Sequence, residues 1–441
     1  MSSKKCYFTT IQKVERYSDP EINRIAIGEV DGNKVVIGIN SEVGTTGIFF
    51  YPDCILTESF RESHGLTSSS FKNGRVRVAR FKGEWSEGLF LPMTKEEVRD
   101  LFDQRFEIGD ALPEHPDVYD VYIPKIKNSN IQSNQAGGKF KRGILPEFPM
   151  HFDTEQFRSS IKEVERLFNS GYTLSISIKI HGTSGRTAHV RVPKDFTWYE
   201  KAKIKFMKLF HYDWPKYTRE LEERNFFIPG DYQIVNGSRR VILTEEKRIE
   251  NSGYHSTSFR DKSSYFKENL EKDIVVFYEI VGWENENTPI MAKGPNGFYD
   301  YGIPKGEFAI QVYRITKNGV DLPVKEMEEY ALSVLNLAPV YRPVDMYHMN
   351  NDSFSDVIGV VSEQFEKSAK IPCFGYIDQG CNARLTHYTH VNEGIVIRMD
   401  PPSMVADTRP PKFFKLKRPE FYEEEGKIKA AELSKLSLEQ E

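Results

Sequence analysis

One segment constrains this chain more than any other. From Tyr172 to Ile180, Tyr172, Leu174, Ile176, Ile178 and Ile180 alternate with Thr173, Ser175, Ser177 and Lys179. A period of two with one apolar and one polar face is a β-strand with one face buried. Gly182, Thr183 and Ser184 then end the run, so Lys179 stands on the polar face close to the strand's end. A sheet needs neighbours, and four later segments supply them: Ile274–Ile280, Phe308–Ile315, Glu393–Met399 and Phe413–Lys417. Upstream, Asp153 with Gln156 predicts a helix start. Phe157, Ile161, Val164 and Phe168 give it an apolar face, and Gly171 a stop. Further helices are expected around 198–210 and 322–336, and there is no internal repeat.

The first 126 residues read differently, as short strands between turns. Arg24–Val30, Lys34–Ile39 and Gly47–Phe50 are β-leaning, with Asp31-Gly32 as a hairpin signal between the first two. Arg75–Lys82 alternates, and Gly88–Leu91 follows. About five such strands suggest a small barrel. Thr94 and Glu97 form a capping box that opens a helix through about Phe106. Residues 127–149 are polar, with Gly137-Gly138 and the basic run Lys139–Arg142, and read as a linker; Glu420–Glu441 reads as a charged helix or tail. A length of 441 residues exceeds one ordinary core, so two or three domains are expected.

Composition narrows the class. Hydrophobic residues are 39% and charged residues 28%, an ordinary globular balance, and the 30 Phe and 22 Tyr favour a large β-rich core. A net charge of −4 gives no whole-chain basic signature, so nucleic-acid binding would need local patches. The four cysteines (Cys6, Cys54, Cys373, Cys381) lack CxxC spacing, which argues against a zinc site or disulfide framework. No leader-like or membrane-length apolar run is present, and the reading is a reduced, intracellular, cytoplasmic protein with no membrane partner, expected as a monomer.

Phosphate chemistry has two common routes. A P-loop is excluded: Gly137-Gly138-Lys139-Phe140 lacks the upstream Gly and the Ser or Thr after Lys. The second route is a nucleophilic lysine at a strand-to-loop transition, which Ser177-Ile178-Lys179-Ile180-His181-Gly182-Thr183-Ser184 fits. A lone strand lysine is ordinarily a solvated side chain. The downstream strings change the weighting. Phe277-Tyr278-Glu279-Ile280 places one carboxylate at the polar edge of an apolar strand. Glu393-Gly394-Ile395-Val396-Ile397-Arg398 begins a strand with a carboxylate beside a glycine, and Lys415-Leu416-Lys417 puts two lysines on one strand face. Together they supply a nucleophile, two acceptors for ribose or hydrated metal, and two cations for phosphate.

This ordered set resembles the covalent nucleotidyltransferase superfamily of ligases and capping enzymes. Lys179–Gly182 matches the KxHG variant of its lysine motif, Glu393–Arg398 its EGxVxR motif and Lys415–Lys417 its KxK motif. Asn236-Gly237-Ser238-Arg239-Arg240 resembles the arginine-bearing motif, Phe277–Ile280 the third, and Ile310–Ile315 the aromatic one. Two departures stand out: His181 occupies a place where many ligases have Asp, and Ile178 one where RNA ligases often have Glu. Only about two dozen residues follow KxK, too few for the C-terminal OB domain of DNA ligases and capping enzymes. The N-terminal strings Asp19–Arg24, Val30-Asp31-Gly32 and Trp85–Leu89 instead resemble the OB module of nick-sealing RNA ligases.

The resemblance implies an α+β chain: an OB-type barrel over 1–126, a linker over 127–149, a nucleotidyltransferase domain of antiparallel sheets over 150–420, and a tail over 421–441. It implies ATP with Mg²⁺ or Mn²⁺ as cofactors and a nicked duplex with RNA 3′-OH and 5′-phosphate strands as partner. Lys179 would carry AMP; Glu279, Glu393, Lys415 and Lys417 would be catalytic. Ile180, Ser184, Arg239 and Tyr313 would join them around the nucleotide, and Glu279 and Glu393 would bind metal through water. Two other functions share parts of the pattern: a GTP-dependent capping-type guanylyltransferase, and a non-catalytic OB-fold nucleic-acid-binding protein.

Overall fold

A computed structural model describes residues 6–52, 54–66, 74–121, 147–151, 154–210, 212–226, 228–238, 242–243, 265–291, 299, 301–340, 342, 344–347, 353–368, 392–402 and 409–421. It is a mixed α/β, sheet-rich protein.

The N-terminal strands are β1 (Cys6–Thr10), β2 (Lys13–Glu15), β3 (Ile25–Val30), β4 (Asn33–Gly38), β5 (Thr46–Phe50), β6 (Cys54–Leu56), β7 (Ala79–Phe81), β8 (Glu84–Ser86), β9 (Leu89–Pro92) and β10 (Tyr119–Val121). They form the open sheets β1-β5-β9 and β2-β3-β4 and two short pairs, and no hydrogen-bonded ring closes among the described residues. The expected hairpin across Asp31-Gly32 is present. The Arg75–Lys82 strand is not continuous: only Ala79–Phe81 is laddered, while Val76 and Val78 turn into the core and Arg75 bridges to Ile55. Helices α1 (Glu58–Ser63) and α2 (Lys95–Phe102) follow. The Thr94–Glu97 capping box forms, and α2 ends at Phe102 rather than Phe106 because Asp103 turns left-handed.

The remaining strands are β11 (Glu155–Gln156), β12 (Thr173–Lys179), β13 (Thr183–Pro193), β14 (Pro229–Ser238), β15 (Ile242–Leu243), β16 (Ile274–Asn285), β17 (Thr288–Pro289), β18 (Phe308–Lys317), β19 (Val320–Asp321), β20 (Ala338–Pro339), β21 (Val344–Tyr347), β22 (Gly394–Asp400) and β23 (Lys412–Lys417). They build two sheets, ordered β11-β23-β22-β12-β21 and β15-β14-β13-β16-β18-β19. The helices here are α3 (Ile161–Asn169), α4 (Trp198–Leu209), α5 (Trp214–Phe226), α6 (Val324–Ser333) and α7 (Phe354–Lys367). The even-numbered face of β12 packs with Val164 and Leu167 of α3 and Val361 and Phe365 of α7. The second sheet rests Val276, Tyr278, Ile310 and Val312 on Met327 and Ala331 of α6.

The helix expected from Asp153 starts later, at Ile161 after a 3₁₀ turn. Gln156 is drawn into a parallel pair with β23, and Phe157 N–H donates to the Lys415 carbonyl, so sheet pairing overrides the local cap. Asp153 lies outside the described residues, as do 127–146 of the segment read as a linker and 422–441 of the tail. Phe148, at that linker's end, is fully buried, and Phe421 packs beside His181.

Candidate active site

Strand register assembles the site. Lys179 on β12 lies opposite Gly394 on β22, which lies opposite Lys417 on β23. One row of three adjacent strands therefore carries both lysines, with Glu393 immediately before Gly394. Only glycine fits in the middle of that row. Gly394 has φ +136°, and a Cβ there would sit 2.0 Å from the Leu416 carbonyl oxygen. Gly182 is similarly confined, since its Cβ would meet the Ile280 carbonyl at 2.5 Å.

Glu393 is the hub. Its side chain is 3% exposed, 3.1 Å from Lys179 Nζ, 2.7 Å from Lys417 Nζ and 3.5 Å from His181 Nδ1. Burial alone would push its carboxyl up, but the Lys179 and Lys417 ammonium groups, with His181, hold it well below the usual carboxylate range. His181 is fixed edge-on to Tyr299 and Phe421, and its backbone N–H donates to the Tyr301 hydroxyl at 2.6 Å. The position where many ligases carry Asp is here a histidine held against the central carboxylate.

Glu279 comes from the second sheet, paired with Ser184 in register, and Ser184 Oγ donates to Glu279 Oε1 at 2.5 Å. Burial pushes its carboxyl up to about 7, against the Ser184 hydroxyl and the nearby Lys179 charge, with the Glu393 charge reinforcing the rise. Its Oε2 is buried and has no hydrogen-bond partner among the described residues. An unpartnered buried carboxylate oxygen suits a ligand hydroxyl or a metal-bound water.

A cavity of about 130 Å³ opens beside these groups between the two sheets. That is roughly ten times what one water requires. Lys179, Val396 and Phe413 line it from the first sheet, Ser184, Glu279 and Tyr313 from the second, and Ile180 follows Lys179 at its edge. Tyr313 owes its place to a β-bulge. Phe277 pairs with Arg314 and Tyr278 with Val312, leaving Tyr313 as the extra residue. Lys415 pairs with Val396 on the strand face that also carries Phe413 and Lys417. Arg239 lies outside the described residues.

Sequence reasoning missed two further lining residues of the cavity, Arg342 and Glu328, which form a two-pronged ion pair of 3.0 and 2.6 Å. Neither residue lies in a recognisable string, and only the fold brings them together. Among the described residues no three His, Cys, Asp or Glu side chains cluster as a metal cage, and no helix is long and apolar enough to cross a membrane.

No family model and no curated protein matches the chain. Solved structures do. The Naegleria gruberi RNA ligase with pyrophosphate matches with a TM-score of 0.53 at 17% identity, over 95% of this chain and 98% of that one. Mutants of that ligase with AMP and Mn, and with ATP and Mn, each match with a TM-score of 0.55, at 17% and 16% identity and the same coverage. The chain has the fold of an RNA ligase. The likeness runs through nearly the whole of both chains, so it covers the N-terminal strands as well as the two sheets around Lys179.

Proposed function

We propose that this chain is an ATP-dependent RNA ligase that joins a 3′-OH to a 5′-phosphate through AMP carried on Lys179. The observation that carries the reading is the row Lys179–Gly394–Lys417 with Glu393 between the lysines and Glu279 across the cavity. The solved ligases of the same fold hold ATP, AMP, Mn or pyrophosphate, the reactants and products such a site needs.

In the first step Lys179 Nζ bonds to the α-phosphorus of ATP, the bond to the bridging oxygen breaks, pyrophosphate leaves and the amine loses a proton. Attack requires Lys179 to give up its contact with Glu393. Lys415 and Lys417 stabilise the charge developing on the phosphates. Glu279 receives a ribose hydroxyl through its unpartnered oxygen, and Tyr313 and Val396 bracket the base. In the second step the 5′-phosphate of a strand displaces Lys179 from AMP. In the third a 3′-OH displaces AMP and closes the phosphodiester. A divalent cation would supply charge neutralisation at the phosphates, and Glu279 and Glu393 would hold it through its bound waters. The described residues 6–121 would form an OB-type unit that binds the duplex, offering Arg80, stacked 4.2 Å over Trp85, and the exposed Lys82. Arg75, on the same segment, is buried and does not reach that surface.

The test is incubation with α-labelled ATP and Mn²⁺, then with a nicked duplex whose 3′-OH strand is RNA or DNA. Wild type becomes labelled and seals the RNA-ended nick, and Lys179→Ala does neither. Labelling by GTP in place of ATP would transfer the reading to a capping enzyme.

A further inference from the structure

The helices α4 and α5 lie between β13 and β14 and take no part in the cavity. Both are firmly started. Thr197 and Glu200 form a complete capping box on α4, and the Asp213 carboxylate accepts from Lys216 N–H in the first turn of α5. Lys203 sits 4.3 Å over Tyr217 and Lys208 4.2 Å over Trp214, tying the two helices together.

What this hairpin turns outward is unlike the rest of the surface. Of the twelve large hydrophobic side chains exposed among the described residues, seven lie between 198 and 214, led by Trp198 at 81%. At about 100° per residue, Trp198, Ala202, Phe206 and Leu209 fall on one stripe of α4 with Tyr199 at its edge, all exposed. The opposite face is Glu200, Ile204 and Met207, which are buried or half-buried. Lys201, Lys205 and Lys208 border the stripe on one side and Lys203 on the other. The only acid on this helix, Glu200, is paired with Arg224 at 2.7 Å. An apolar stripe of this kind marks an interaction site.

We infer that the α4–α5 hairpin is a stacking platform for single-stranded RNA, holding the flank of the substrate away from the joint. This rests on the ligase reading for the identity of the strand. Three observations favour an RNA strand. First, six of the seven exposed apolar groups are rings and one is aliphatic, which suits bases, each of which has a face to stack. Second, lysines on both borders complement phosphates, whereas a second copy laid symmetrically on this face would bring like charges together. Third, β13 carries Ser184 at the cavity and launches the hairpin from its other end at Pro193, nine residues away. At about 3.3 Å per residue that is roughly 30 Å along one rigid strand, a distance a polynucleotide spans and a nucleotide does not.

The test is the affinity of the full chain for a fluorescein-labelled single-stranded oligoribonucleotide, with label transfer from ATP to Lys179 read alongside. The variant Trp198→Leu/Phe206→Leu keeps the face apolar but removes two rings. It is expected to weaken the oligonucleotide about tenfold per ring and to leave label transfer unchanged. The variant Lys201→Ala/Lys205→Ala, which leaves the Lys203 and Lys208 contacts between the helices in place, is expected to make the slope of log affinity against log salt shallower by about 1. Unchanged oligonucleotide affinity in the leucine variant overturns the inference. So does binding of wild type to phosphatidylserine vesicles that the leucine variant retains while RNA affinity is unmoved, which would make this a membrane face. Self-association of wild type that the lysine-to-alanine variant strengthens, with RNA affinity intact, overturns it as well. Failure of wild type to take label from ATP would instead remove the ligase reading and leave the oligonucleotide result to judge the platform.

Discussion

The sheet that carries Lys179 and the N-terminal strands use charge in opposite ways. In the first, Glu393 is almost wholly inside, flanked by two ammonium groups, and Arg398 is buried against Asp400. In the second, pairs such as Lys34–Glu84 and Lys13–Glu15 stay in solvent. Exposed pairs contribute between about 0 and 1 kcal/mol. Buried ones must offset the loss of hydration and are strongly destabilising when one partner is removed. Charges buried in a row beside a cavity therefore point to chemistry, and the exposed ion pairs Lys34–Glu84 and Lys13–Glu15 to ordinary solvation, with the Glu87–Arg158 pair joining the two regions at 2.7 Å.

Substitutions that break this contrast should rank accordingly. Glu393→Ala has the largest expected effect: it leaves Lys179 and Lys417 facing each other unneutralised, so the melting transition should report a loss of about 3–5 kcal/mol and label transfer should fall about 10²–10³-fold. Lys417→Ala comes next. Its folding should survive, and label transfer from ATP should fall more than sealing of pre-adenylylated strands; equal losses would assign Lys417 to every step.

Glu279 sharpens the comparison through pH. Its carboxyl titrates near 7 when folded and near 4.5 when unfolded, so between those values the folded state holds a proton that the unfolded state lacks. Stability should fall as pH rises from about 4.5 to about 7. Relative to wild type, Glu279→Gln should gain on the order of 1–3 kcal/mol across that window, read from denaturant unfolding at pH 5 and pH 8. A constant difference would show that Glu279 does not titrate there. Lys34→Ala has the smallest effect: a change within about 0.5 kcal/mol and unaltered label transfer.

Much of the site was legible because strand register is a periodic property. The alternation of Tyr172–Ile180 set Lys179 on the polar face, and the strings around Glu279, Glu393 and Lys417 lay on strands that pair in the order needed. What stayed hidden depended on partners distant in sequence. β13 was not read as a strand because Arg186 and Thr187 look exposed; Arg186 is 2% exposed, its guanidinium satisfied by the carbonyls of Ser238 and Phe148. The helix α7 was missed although Ser353 and Asp356 cap it. The bulge that presents Tyr313 and the pairing of Glu328 with Arg342 leave no mark on local pattern. In the N-terminal region the strands of the first hairpin were legible, but whether they close into a barrel was not, since alternation says which face is buried and not whether the edges meet; the described sheets are open.

Whether Lys179 is the nucleophile can be measured directly. The protein is incubated with ATP and Mn²⁺, digested, and the peptide bearing AMP sequenced by mass spectrometry. The proposed chemistry predicts a single adduct, labile to acid and stable to alkali, on Lys179. An adduct on any other residue, or none from a folded protein, would contradict it.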